Sequence, residues 1–190
     1  MHLVLMGPPG AGKGTQAQIV AGRLSVTHIS TGDIFRTNVS SGTPLGLQAQ
    51  RYMDAGEYVP DDVTNAMVRG RLGEPDCSAG FLLDGYPRTL DQVSELDDIL
   101  TSLNKRLDRV VELTVDREEL VQRLVRRAVD SGRSDDTEDV IRRRMDVYQE
   151  QTSPLLQVYA TRGLLVSVDG MGAVDQVTAR ILDAVELPGG

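Results

Sequence analysis

Nine residues near the start of the chain, Gly7-Pro8-Pro9-Gly10-Ala11-Gly12-Lys13-Gly14-Thr15, constrain the fold more than any other stretch. They stand between a short apolar run, Leu3 to Met6, and a segment in which Ala17, Val20, Ala21 and Leu24 fall at the helical spacing i, i+3, i+4 and i+7. Strand, glycine-rich turn and helix in that order make a phosphate cradle. The glycines let the backbone fold tightly with its N–H groups turned inward, the helix N-terminus adds partial positive charge, and Lys13 can reach the β and γ phosphates of a triphosphate. The pattern departs from G-x-x-x-x-G-K-S/T in one respect: Gly14 follows the lysine, and the hydroxyl arrives one position later at Thr15. A glycine turn with an incidental lysine is the bland alternative, and the strand and helix on either side count against it.

Four more strand candidates, Thr27 to Ile29, Gly80 to Leu83, Arg109 to Val115 and Leu164 to Val168, most of the set continuously apolar, alternate with helix-like stretches. Continuous apolar strands separated by helices are the pattern of a parallel sheet covered on both faces, so the chain is expected to be an α/β protein with a doubly wound five-stranded sheet. Val174, Val177, Ile181 and Val185 repeat the helical period near the C-terminus. Thr43-Pro44 opens a segment that Gly56 closes, Thr89 with Gln92 reads as a capping box, and Asp116 with Glu119 as its acidic version. Residues 30 to 59 insert helical material between the second and third strands, and residues 128 to 139 are polar. Both are excursions from the core.

Composition narrows the function classes. At 190 residues, with 40% hydrophobic and 25% charged side chains, the chain can bury one real core, which excludes wholesale disorder and fibrous repeats. No stretch reaches the roughly 18 apolar residues a membrane span needs, and Met1 leads straight into strand-like residues without a basic region and cleavage site. A soluble, cytoplasmic protein without membrane partners is expected. Cys77 is the only cysteine, which leaves no intramolecular disulfide and no multi-thiolate zinc site. A net charge of −8 opposes non-specific nucleic-acid binding. The basic residues are nearly all arginine, Lys13 and Lys105 being the exceptions; codon usage accounts for most of that bias, and phosphate recognition is its functional reading.

The phosphate loop alone does not choose among motors, GTPases and kinases. A GTPase needs Asn-Lys-x-Asp, and Asn104-Lys105-Arg106-Leu107 puts leucine where aspartate belongs. Thr31-Gly32-Asp33-Ile34-Phe35-Arg36 and Asp84-Gly85-Tyr86-Pro87-Arg88 each follow a strand, where open α/β sheets bind ligands. With Glu57-Tyr58-Val59-Pro60-Asp61, Arg133-Ser134-Asp135-Asp136 and Arg144, the set closely resembles the adenylate kinases of the nucleoside monophosphate kinase family, in that family's order and over nearly the whole chain.

The resemblance implies a P-loop NTPase-type fold in one domain over 1–190, with core 1–29, 60–126 and 140–190, an NMP-binding insert at 30–59 and a short lid at 127–139. It implies reversible transfer of the terminal phosphoryl group of ATP to AMP, giving two ADP, in adenine nucleotide homeostasis. ATP would lie on Gly10, Ala11, Gly12, Lys13, Gly14 and Thr15, with Arg127 and the backbone of Gly172 on its other side; Arg126 is an equally good register for Arg127. AMP would be held by Thr31, Arg36, the backbone of Glu57, Tyr58 and Val59, the turn Gly85, Tyr86, Pro87 and Arg88, and Gln92, with Thr31 and Gln92 facing adenine. Threonine at 31, where uridylate/cytidylate kinases tend to carry alanine, favours AMP. Asp84 would orient the waters of Mg²⁺, an ion that keeps its waters and takes few carboxylates.

Phosphoryl transfer depends on positioning and on charge stabilisation, so Arg88, Arg133 and Arg144 beside Lys13 are the expected catalytic cations, and each contacts the AMP side as well. Arg23, Arg51, Arg106, Arg109 and Arg180 are expected to be structural, and His2, His28 and Tyr86 to pack rather than react. Only five residues separate Arg127 from Arg133, which resembles a short-lid member holding no zinc, closed chiefly by arginine contacts with ATP. A monomer is expected. A uridylate/cytidylate or other monophosphate kinase is the nearest alternative, and a nucleotide-binding module without turnover is the alternative from another class.

Overall fold

The computed structural model describes residues 1–131 and 137–186, and side chains over 1–126 and 137–186. Five strands, β1 (His2–Met6), β2 (Thr27–Ser30), β3 (Phe81–Asp84), β4 (Arg109–Thr114) and β5 (Leu165–Asp169), pair in parallel in the order β2-β3-β1-β4-β5. The expected strand ends hold to within a residue or two. Gly80 falls outside β3 because its backbone, at φ +145°, is not that of a strand.

Successive residues of β1 go to opposite faces, which explains its unbroken apolar run. Val4 and Met6 join Ile29, Phe81 and Leu83 beneath α4 (Asp61–Leu72), α5 (Leu90–Ser102) and α8 (Pro154–Thr161). Leu3 and Leu5 join Leu82, Val111 and Leu113 beneath α1 (Lys13–Leu24) and α9 (Val174–Glu186). Each such side chain contributes about 1.5–3 kcal/mol by leaving water, and the sheet has two complete hydrophobic layers to draw on. Among the described residues no helix is long and apolar enough to cross a membrane.

Between β2 and α4 the chain leaves the sheet for α2 (Thr31–Ser40) and α3 (Pro44–Asp54). Both starts are capped as their sequences suggest: Ser30 accepts from the N–H of Asp33, and Thr43 accepts from the N–H of Gly46 ahead of Pro44 in the first turn. Gly46 permits the two helices to touch, because a Cβ there would lie 2.1 Å from the Asn38 carbonyl oxygen. The insert has its own small core of Phe35, Ala49 and Val59. After β4 come α6 (Arg117–Ser131), α7 (Glu138–Val147) and a wide helical turn, Tyr148–Thr152, that leads into α8.

Candidate active site

The strand order places β1 between β3 and β4, so the turn after β1 and the turn after β3 emerge side by side at the carboxyl edge. The first of these is the Gly7–Thr15 loop. Gly10 takes φ +85°, and a Cβ on it would meet Leu124 Cγ at 2.9 Å, so the loop is pressed against α6. Lys13 opens α1 and folds back, donating to the carbonyls of Gly7 at 2.7 Å and Pro8 at 2.9 Å. Its ammonium therefore stays inside the loop whose N–H groups would receive phosphate.

The second turn begins at Asp84, which is 8% exposed. Its Oδ2 is 3.6 Å from the Cβ position of Gly14, so the carboxylate reaches the phosphate loop from the neighbouring strand. His28 Nε2 stands 3.9 Å from the same oxygen and is buried without a hydrogen-bond partner. A single hard carboxylate oxygen beside a phosphate loop suits an ion that brings most of its own oxygen ligands with the phosphates. Among the described residues no group of three or more His, Cys, Asp or Glu side chains gathers into a metal cage.

Beyond the loop lies a cavity walled by Lys13, Thr31, Arg36, Glu57, Tyr58, Val59, Gly85, Tyr86, Pro87, Arg88, Gln92 and Arg144, with Phe35, Met53, Thr64 and Tyr148 among the other walls. Four cations thus converge on one space in a chain whose net charge is −8. Arg36 pairs with Asp33 at 2.5 Å, and the Thr31 hydroxyl donates to the Gly85 carbonyl at 2.9 Å. Arg88 Nε donates to the Gly85 carbonyl at 2.7 Å, and its guanidinium lies over the Tyr58 ring.

Several expected residues are engaged differently from their sequence reading. Thr89 does cap α5 by accepting from Gln92 N–H at 3.2 Å, but the Gln92 side chain completes no capping box. It accepts from Arg88 N–H at 2.8 Å and donates to Asp61 Oδ1 at 2.6 Å, so it ties the start of α4 to the turn after β3. Likewise Glu119 pairs with Arg123 four residues on, at 2.8 Å, rather than returning to Asp116. The Glu57 carboxylate turns to Arg143 on α7 at 2.6 Å.

Gly172 lies in the loop after β5, apart from that cavity, at φ +102°. That loop and its two ends are held by side chains of three helices: Arg180 of α9 donates to the carbonyls of Asp169 and Met171, Gln16 of α1 donates to the carbonyl of Val174 at the start of α9, and Arg123 of α6 donates to the Gly170 carbonyl. Arg123 also reaches the Ala11 carbonyl of the phosphate loop, at 3.5 Å. Sequence reasoning passed over Arg123; its only signal was the i, i+4 spacing from Glu119 on an amphipathic helix. Arg126 is exposed, whereas the side chain of Arg127 and the whole of Arg133 lie outside the described residues.

The histidines and Tyr86 are packed. His2 Nδ1 meets the Arg106 carbonyl at 2.8 Å, and burial lowers the pKa of its ring. Tyr86 is 1% exposed, donates to Asn65 Oδ1 at 2.9 Å, and burial holds its hydroxyl protonated by raising its pKa.

A doubly wound parallel sheet, a phosphate loop after its central strand and a cation-lined cavity beside that loop define a P-loop nucleotide-binding α/β protein. The family model described as adenylate kinase matches residues 5–164. The chain is 62% identical over 187 residues to an adenylate kinase of Nocardioides sp., covering 98% of each. It is 60% identical to one from Kocuria rhizophila, over 97% of this chain and 98% of that one. To one from Renibacterium salmoninarum it is 58% identical, over 97% and 96%. The chain belongs to the adenylate kinase family and is a phosphotransferase enzyme.

Proposed function

We propose that the enzyme transfers the terminal phosphoryl group of ATP to AMP in one direct, in-line step, giving two ADP. A non-bridging oxygen of the AMP phosphate attacks the γ phosphorus, the bond from phosphorus to the β–γ bridging oxygen breaks, and the departing diphosphate is the first ADP. The phosphorylated acceptor is the second. No side chain has to carry the phosphoryl group, so the protein's share is positioning and charge stabilisation.

The observation that carries this reading is the single cavity in which Lys13 of the phosphate loop faces Arg36, Arg88 and Arg144. The backbone of Gly10 to Thr15 would hold the β and γ phosphates of ATP, with Lys13 between the two nucleotides. Arg36, Arg88 and Arg144 would neutralise the acceptor phosphate and the moving group, as planar donors suit phosphate oxygens. Arg133 and Arg127, outside the described residues and side chains, would join them from the lid, residues 127–139. Gly172 would meet ATP from the pinned loop after β5. Thr31, the 57–59 backbone and Gln92 would bind the AMP base and ribose within an insert, residues 30–59, that closes over the acceptor. Mg²⁺, oriented through its waters by Asp84, would supply charge neutralisation on the β and γ phosphates when bound.

Purified protein given ADP and Mg²⁺ is expected to form ATP and AMP in equal amounts, measured by anion-exchange chromatography. Failure to form either overturns the reading, and faster transfer from ATP to UMP or CMP than to AMP overturns the choice of acceptor.

A further inference from the structure

We propose that the side chain of Tyr58 is a positioning residue for the reaction, holding the guanidinium of Arg88 in the plane from which it meets the transferring phosphate. The proposal rests on the reading of Arg88 as a phosphate ligand and adds to it a role for a ring that so far figures only through its backbone.

The contacts come from three directions. The Arg88 guanidinium carbon lies 4.9 Å from the centroid of the Tyr58 ring, within the range of a cation–π contact. Arg88 Nε donates to the Gly85 carbonyl at 2.7 Å. The Thr152 hydroxyl, on a side chain that is almost wholly buried, donates to the Arg88 carbonyl at 2.9 Å. Tyr58 Oη and Thr152 Oγ1 are 2.7 Å apart, and since the Thr152 proton is committed to Arg88, Tyr58 is the donor. One aromatic residue thus touches its arginine twice, by its face at the guanidinium and through Thr152 at the main chain.

The hydrogen bonds at the Gly85 carbonyl and from Thr152 use Nε and the main chain of Arg88 and leave its terminal NH₂ groups for other acceptors, and Arg88 is one of the walls of the cavity. A guanidinium on a flexible stem loses much of its value as a bidentate donor if it samples many rotamers, and a flat surface on one side removes most of them. The geometry also joins two parts of the molecule. Tyr58 ends the α2–α3 insert, whereas Arg88 and Thr152 follow β3 and α7. Arg88 is therefore fully oriented only when the end of the insert lies against the core.

The test uses the full-length enzyme with ATP, AMP and Mg²⁺, reading kcat and KM separately for Tyr58→Leu, Tyr58→Phe, Arg88→Ala and the Tyr58→Leu/Arg88→Ala pair. Loss of the ring face is expected to lower kcat about five- to tenfold in Tyr58→Leu, with KM for AMP changed by less than about twofold. Tyr58→Phe keeps the face and is expected to retain at least about half of kcat. In the Arg88→Ala background, Tyr58→Leu should change kcat by less than about twofold, because a residue acting through Arg88 has nothing left to act on.

An equal loss in both backgrounds overturns the positioning role while leaving Arg88 in place. A rise in KM for AMP at unchanged kcat overturns it too, and makes Tyr58 a wall of the acceptor pocket. Arg88→Ala with full turnover overturns both the proposal and the reading beneath it. Should Tyr58→Leu not fold, Tyr58→Met supplies the same comparison with a flexible apolar chain.

Discussion

The proposed ATP side and the proposed AMP side of the cleft, here the donor side and the acceptor side, are built by different means. On the donor side the phosphate loop is pressed against α6, and the loop after β5 is held by Arg123, Arg180 and Gln16, side chains of three separate helices. On the acceptor side, α2 and α3 pack on a small cluster of Phe35, Ala49 and Val59, with partly buried Leu45, Tyr52, Met53, Val63 and Met67 around it. Two polar links at 57 and 58 then join the end of the insert to the core, one to Arg143 and one to Thr152. Such a satellite core can shift as a unit while the sheet keeps both hydrophobic layers intact. The donor nucleotide would meet a finished surface, and the acceptor would meet one that its own arrival completes.

Four experiments sharpen or break that contrast. Lys13→Ala removes the cation proposed to serve both sides and is expected to lower turnover about 10²- to 10³-fold with the fold retained. A fall of less than about tenfold would take Lys13 out of the reacting centre. Gly46→Ala drives a methyl group into the Asn38 carbonyl, where overpacking costs about 1–3 kcal/mol. If that strain is confined to the insert, KM for AMP rises about ten- to hundredfold while KM for ATP stays put. Equal changes in both would show that the two sides are one rigid body.

The Arg143–Glu57 pair is partly exposed, so Arg143→Ala should raise KM for AMP by no more than about fivefold. High salt should erase the difference between variant and parent. Cys77 sits on the sheet side of the contrast, fully buried, with burial raising its thiol pKa so that thiolate is scarce. A thiol reagent is expected not to react in the native state and to titrate one equivalent on unfolding; fast native reaction would mean that this core layer opens readily.

What could be read in advance follows from how local each signal is. The inner strands β1 and β3 were legible because a doubly covered strand is apolar along nearly its whole length, and the phosphate loop because its chemistry is contained in nine consecutive residues. The helix starts at Thr43-Pro44 and Thr89 were legible for the same reason, since a cap is made within one turn. Arg123 was not, because its value comes from Ala11 and Gly170, more than a hundred residues before it and 47 after. Gln92 looked like half of a capping box, yet Asp61 and the Arg88 N–H claimed its amide once the fold brought them near. The Tyr58–Arg88 stack was invisible for the same reason: nothing within either residue's own segment points to the other.

The place of β3 has a practical consequence. It lies between β2 and β1, and the turn at its end is flanked by Thr31 on one side and by the phosphate loop on the other. The insert leaves the sheet at Ser30, the last residue of β2, and ends at Pro60, the residue before α4, whose first residue Asp61 is tied to Gln92 after β3. Grafting a foreign 31–59 segment between those two points would leave the phosphate loop and its supports untouched. On the proposed reading such a graft would exchange one wall of the acceptor pocket while Gln92, Arg88 and Arg144 stayed with the core, and a chimaera keeping Thr152 and Arg88 would need an aromatic residue at its junction to seat properly.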